Sequence, residues 1–379
     1  MANTLTTLIP DIYEAMDVVS RELVGMIPAV TRDHRVARAA VGQVVRSFVA
    51  PAVTASDITP NNVLPNDGDQ TIGNIAMTVS KSRRVPIRWN GEEELGIANS
   101  NGSNAGQIRT NQIAQAMRTL CNEIEADLAG LYNKASRSFG TPGTTPFATA
   151  LGDPAQVRKI LSDNGAPLND LQLVIDTTAG ANLRTLAQLN RVNEAGTADL
   201  LNRGRLIDLH GLSLRESAQI KLPTKGTGAA YVTSGSSAIG ATSIALVTGT
   251  GTVLAGDTVT FAGDTNKYVV ATGVAAPGTI VLAAPGLLTV VGSGTALTVG
   301  NTARQNMAFA RTAIMLATRL PALPSGGDMA VDRMTVTDPM SGLSFEIAMY
   351  AQYRQMQYEI SCSWGQACVK PEHLAVLLG

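Results

Sequence analysis

The sequence predicts an α+β body interrupted by an inserted all-β barrel. Three observations carry this. A helical repeat runs unbroken over residues 107–138, and strand-like runs dominate residues 334–368. Between Gly226 and Ala303, charge almost vanishes, leaving only Asp257, Asp264 and Lys267. Mixed composition resumes on both sides of that tract, which makes it an insertion.

The elements follow in chain order. Over residues 11–24, Ile12, Met16, Val19 and Leu23 repeat at helical spacing on one narrow face. Asp11, Glu14 and Asp17 project roughly opposite, an acidic face suited to a basic partner or to solvent. Residues 57–98 read as a long, polar-tipped hairpin. Pro60, Pro65, Asp67-Gly68 and Asn90-Gly91 are turn signals, and Ile75, Met77 and Val79 alternate with Ala76, Thr78 and Ser80. A ribbon of this kind cannot bury a core alone, so it must lie on something else.

Residues 107–138 carry the strongest helix. Ile113, Met117, Leu120, Ile124, Leu128 and Leu131 hold the spacing, and Gly140 and Pro142 are its stop signals. Its expected length is about 48 Å. Beyond it, Asp153-Pro154 opens a second helix that Gly165 closes. Leu171 to Asp176 reads as a buried strand, and Thr178 to Asn190 as another helix.

Inside the insertion, short β runs recur at Tyr231–Thr233, Ser243–Thr248, Thr258–Phe261, Lys267–Ala271, Thr279–Leu282 and Ala296–Val299. Gly-containing turns separate them, which indicates a small barrel or sandwich. After Ala303, NMAFARTAIMLATRL is expected to be helical. The chain closes with strands at Met334–Thr337, Phe345–Tyr350 and Tyr358–Cys368.

Composition narrows the function. A chain of 379 residues, 45% of them hydrophobic, supports roughly two or three domains. A formal net charge of −1 argues against a dedicated nucleic-acid binder but not against a shell enclosing nucleic acid. Cys121, Cys362 and Cys368 are too few for a disulfide framework and fit a reducing cytoplasm. The N-terminus lacks a signal-peptide pattern, and no membrane span is expected. His34, His210 and His373 are scattered, and no Cys-x-x-Cys, phosphate loop or nucleophile elbow occurs. No enzyme, metal site or cofactor is expected.

The densest charge is Lys81, Arg83, Arg84 and Arg88, followed by Glu92, Glu93 and Glu94. It reads either as two solvated hairpin faces or as inter-subunit pairing at a projecting tip. Nucleic-acid binding ranks third, because Trp89 is the one nearby aromatic.

The order of arm, extended loop, spine helix, α/β body and β-rich return resembles the tailed-phage capsid fold, the Hong Kong ninety-seven fold. HGLSLRESAQIKLP resembles a strand of such capsids, and NMAFARTAIMLATRLPALP is similar to their Asn-hydrophobic-Ala-Phe helix. DPMSGLS and the later WGQACVKPE resemble their C-terminal strand and its hairpin partner. The Ala/Thr-rich insertion after Lys-Leu-Pro, containing GDTVTFAGDTNKYVV, resembles coat proteins of the phage P-twenty-two type, whose extra β-barrel is immunoglobulin- or telokin-like.

The resemblance implies a major capsid protein of a virion, assembled in the bacterial cytoplasm. Pentamers and hexamers would form an icosahedral shell around double-stranded DNA, with a portal protein and a separate scaffolding protein. It implies an arm over 1–50, an extended loop over 51–100 and a spine and peripheral region over 101–150. An axial domain over 151–223, the barrel over 224–302 and the returning body over 303–379 complete the division. Asp11, Glu14 and Asp17 become the scaffold contact, and the 81–94 charges the inter-subunit contact. Lys81 could invite an isopeptide cross-link, but no partner Asn is identifiable, so none is expected. Alternatives are an encapsulin-like compartment shell, a tail or decoration protein, and a hydrolase bearing a β domain.

Overall fold

The computed structural model describes residues 23–33, 37–49, 53, 55–60, 62, 68–99, 104–149, 151–190, 208–339 and 341–379. The amphipathic helix expected over 11–24 lies almost wholly outside them.

The chain enters through a single turn, α1 (Met26–Ala29), and two short strands, β1 (Thr31–Asp33) and β2 (Arg38–Ala39). A two-stranded ribbon follows, formed by β3 (Val44–Val49) and β4 (Gly73–Thr78). Strand β5 (Lys81–Asn90) leads to α2 (Gly91–Asn99) and then to the spine helix α3 (Asn104–Ala129). At 1.5 Å per residue α3 is about 39 Å long. It ends well before the stop signals at Gly140 and Pro142. Gly130–Lys134 tightens into a 3-10 turn, Ala135 turns extended, and the amide of Ala135 donates to the Tyr132 carbonyl. Residues 137–139, expected near the helix end, form strand β6 (Arg137–Phe139).

Next come α4 (Gly152–Asp163), β7 (Leu171–Ile175), α5 (Thr177–Thr185), α6 (Ala187–Asn190) and β8 (Leu212–Glu216). The expected single helix from Thr178 is broken at Leu186, which is extended. Asp176 caps α5, its carboxylate accepting from the amides of Thr178 and Ala179.

All six β runs expected in the insertion are strands. They are β9 (Tyr231–Thr233), β10 (Ser243–Val247), β11 (Thr258–Phe261), β12 (Lys267–Thr272), β13 (Thr279–Leu282) and β14 (Ala296–Val299). Antiparallel pairing runs β11–β14–β9–β10–β13–β12 and closes through β12–β11, so the sheet is a barrel. Tyr231, Ile244, Phe261, Tyr268, Ile280 and Leu297 belong to its own buried core. Its two ends meet, with the Lys225 amide donating to Thr302 Oγ1 at 3.3 Å and the Gln305 amide to the Lys221 carbonyl at 3.0 Å.

After the barrel the chain is β throughout, with β15 (Gln305–Ala310), β16 (Ile314–Pro321), β17 (Ala330–Thr337), β18 (Ser344–Gln352), β19 (Gln355–Cys368) and β20 (Leu374–Leu378). The helix expected in NMAFARTAIMLATRL is therefore two strands joined by a 3-10 turn at Arg311–Ala313. The reason is burial on both faces. In β15, Met307 and Phe309 face the spine-helix core, while Ala308 and Ala310 face the core beneath α4 and α5. A strand buried on both sides is apolar throughout, so its period of two is invisible in sequence.

Two sheets make the body. One runs β1–β16–β19–β18–β17, with β2 also beside β16 and β5 beside β19. Leu120, Ile124 and Leu128 of α3 pack with its Phe345, Ile360 and Trp364. The other runs β6–β20–β15–β7–β8 and continues into the barrel through β6–β12.

Candidate functional site

The ribbon is the first feature to stand out. Its register runs from Val44 opposite Thr78 to Val49 opposite Gly73. The hairpin expected within 57–98 is thus corrected. The partner of residues 73–78 lies upstream at 44–49, and β5 belongs to the main sheet. The alternation of Ile75, Met77 and Val79 against exposed Ala76, Thr78 and Ser80 does appear. Cover from the chain itself fades outward. Val79 is 1% exposed and Met77 3%, Ile75 is half-buried, Ile72 is 66% exposed and Phe48 78%. The ribbon's root is clamped on β19. Ser80 donates its amide to the Trp364 carbonyl, and a Cβ added at Gly365 would lie 2.2 Å from the Thr78 carbonyl oxygen. Only glycine permits that approach.

The charge cluster is divided by the strand's own alternation. Lys81 binds Asp127 at 2.8 Å and Glu123 at 3.2 Å on α3, and Arg83 reaches Glu123 at 3.2 Å. Bonding to Asp127 and Glu123 outweighs burial and raises the Lys81 pKa above its ordinary value. Asp127 also accepts from the Trp364 indole at 2.9 Å. Arg84 pairs with Glu359 of β19 at 2.7 Å. Asn90 and Glu93 form a capping box at the start of α2, the Glu93 amide donating to Asn90 Oδ1 and the Asn90 amide to Glu93 Oε2. Asn90-Gly91 is accordingly a helix start, not a hairpin turn. Lys81, Arg83, Arg84 and Glu93 thus have partners within their own chain. Arg83, Arg84, Arg88 and Glu92 are all exposed. Asp11, Glu14 and Asp17 lie outside the described residues.

Sequence reasoning missed Glu125. It is 0% exposed and ties three parts of the chain together. Its carboxylate accepts from the amides of Met26 at 2.9 Å and Ile27 at 2.7 Å, and from the Ser217 hydroxyl at 2.8 Å. Burial outweighs these bonds and holds its pKa above the ordinary glutamate value. The signal was available, since Glu125 falls at helical spacing from Cys121 and Leu128, on the apolar face of α3.

No group of three or more His, Cys, Asp or Glu side chains able to hold a metal occurs among the described residues. Burial pushes the thiols of Cys362 and Cys368 up to about 12, far from a reactive thiolate. No described helix is long and apolar enough to cross a membrane.

No family model and no curated protein matches the sequence. Solved structures do. One, of Mycobacterium phage Che8, aligns over 99% of this chain and 98% of its own at a TM-score of 0.51 and 10% identity. A second, the capsid structure of the cyanophage P-SCSP1u, aligns over 96% of this chain and 91% of its own at 0.51 and 11% identity. The fold is a phage capsid fold. Its layout is that of the Hong Kong ninety-seven fold. The closed six-stranded barrel is consistent with an inserted domain.

Proposed function

We propose that this chain is the major capsid protein of a tailed bacteriophage and has no catalytic role. The end-to-end match in fold supports this reading. Pentamers and hexamers of the chain would close an icosahedral shell around double-stranded DNA, with a portal at one vertex. A separate scaffolding protein would guide assembly through Asp11, Glu14 and Asp17. The division into arm 1–50, loop 51–100, spine region 101–150, axial domain 151–223, barrel 224–302 and return 303–379 belongs to the same proposal. So does the kinship of the barrel with that of P-twenty-two-type coats.

The fading cover along β3–β4 fits assembly, because a neighbour's body would shield the apolar side that the chain's own residues leave open. The exposed members of the charge cluster, among them Arg88 and Glu92, would pair across subunits. The test is co-expression with a candidate scaffolding protein, followed by negative-stain microscopy. Uniform closed shells are expected. Soluble monomers under every scaffold and salt condition would overturn the proposal, and shells filled with cargo protein would redirect it to a bacterial compartment. Arg88→Glu is expected to leave the subunit folded and to lower shell yield, as judged by sedimentation.

A further inference from the structure

A cleft of about 310 Å³ separates the barrel from the body, lined by Arg137, Ser138, Gln156, Lys159, Asn266 and Lys267 among others. Three elements wall it: β6, α4 and the barrel loop before β12. Arg137 is part of its lining and is only 5% exposed. Its guanidinium is poorly bonded. Nη1 donates to Asn266 Oδ1 at 3.4 Å, and Nη2 to the Ile160 carbonyl at 3.5 Å and Asn164 Oδ1 at 3.4 Å. Asp163 is 3.6 Å away, and Nε has no partner. Charge-assisted bonds are ordinarily about 2.7–2.9 Å.

The chain treats another buried guanidinium differently. Arg319, 8% exposed, bonds Asp33 Oδ2 at 2.6 Å and two carbonyls at 2.8 and 2.9 Å. Arg137 is thus bonded more loosely than Arg319. Two more cations face the same space. Lys159 shares Asp163 at 3.5 Å, and Lys267 donates to the Gly140 carbonyl. Arg137 and Lys159 thus share one half-exposed carboxylate, and Lys267 is met by a neutral carbonyl, beside the polar side chains of Ser138, Gln156 and Asn266. A buried cation left short of partners is costly, and a forked guanidinium with a free Nε matches the oxygens of a phosphate.

We propose that this cleft binds a phosphate group, held by Arg137, Lys267 and Lys159, and that the bound anion ties the barrel to the body. The test reads anion binding by the isolated subunit, so it does not depend on assembly. The full-length subunit is titrated calorimetrically with inorganic phosphate and, in parallel, with adenosine monophosphate, against chloride at equal ionic strength. Saturable binding is expected. Tighter binding of the nucleotide would identify a phosphate ester as the occupant, and equal binding the free ion. Lys159→Gln with Lys267→Gln should weaken binding about tenfold or more while leaving the circular dichroism unchanged. Arg137→Met should abolish binding, yet melt no lower than the parent in phosphate-free buffer, because it removes an under-bonded buried charge. No saturable response to either anion, or undiminished binding by the double lysine variant, would overturn the proposal. A large loss of stability for Arg137→Met without phosphate would do the same, since the guanidinium would then be satisfied by its own chain.

Discussion

Glu125 holds the start of the chain's described part against the spine helix. Truncating it to Ala would leave the amides of Met26 and Ile27 without acceptors, at about 1–3 kcal/mol for each buried group. The pH dependence has a defined sign. Burial keeps the folded-state pKa above the ordinary 4.5, so between those two values the folded chain holds a proton that the unfolded chain has lost. Stability from this group is fullest below 4.5 and declines as pH rises through the raised value. Glu125→Gln cannot ionise. The stability advantage of the parent over this variant is expected to shrink as pH rises from 4.5 towards neutrality, measured by urea midpoints. An advantage that stays constant over that range would show that Glu125 does not titrate there. Asp264 behaves oppositely. Burial pushes its carboxyl up, but hydrogen bonds from Thr289, Tyr268 and Asn266 together pull it below 3.8. Its contribution is complete above the ordinary value and is lost as pH falls through the lowered one.

The ribbon and strand β5 should part company in solution, although the sequence joins them in one extended tract. Strand β5 is paired over its whole length with β19, from Lys81 opposite Trp364 to Asn90 opposite Gln355. The outer ribbon has only its two strands, and such pairs are marginal in water. Hydrogen exchange on the free subunit is therefore expected to be slow across the bonded amides of 81–90 and fast across 73–76. Slow exchange at both would mean that the subunit alone orders the ribbon. Arg83→Glu with Arg84→Glu would set new carboxylates against Glu123 and Glu359 of the same chain. Each lost pair contributes about 0–1 kcal/mol. The double reversal is thus expected to lower the melting temperature of the subunit itself; an unchanged melt would show that the pairs contribute nothing. What was legible here was the period of two at 75–79. The partner at 44–49 was not, because pairing across some two dozen residues leaves no local mark. Strand β15 was hidden for a different reason, its two buried faces erasing any alternation. Arg137 and Glu125 owe their character to burial, which sequence registers only as a charge among apolar neighbours.

At the scale of the whole molecule, the insertion was the most legible part, because six short strands separated by glycine turns write their limits into local sequence, although β14 pairs with β9 and β11, and β10 with β13, which no local signal announced. The closed ring of strands leaves few ladder edges exposed, and its core is lined by its own side chains. Residues 224–302 are expected to fold alone into a β structure with cooperative unfolding, read by circular dichroism and calorimetry. A fragment with an unfolded or helical spectrum would show that the body is needed to hold it. The body's two sheets, by contrast, draw strands from both sides of the insertion, so neither half can close without the other. This gives the adjoining ends of the barrel a further meaning. Because Lys225 and Thr302 touch, the chain departs and returns through one doorway, and apart from the β6–β12 seam the body's own strand pairing does not draw on what lies beyond. The cost of closing a longer detour grows only logarithmically. That doorway is a natural splice point. A different module whose ends lie equally close could be grafted there and carried on every subunit.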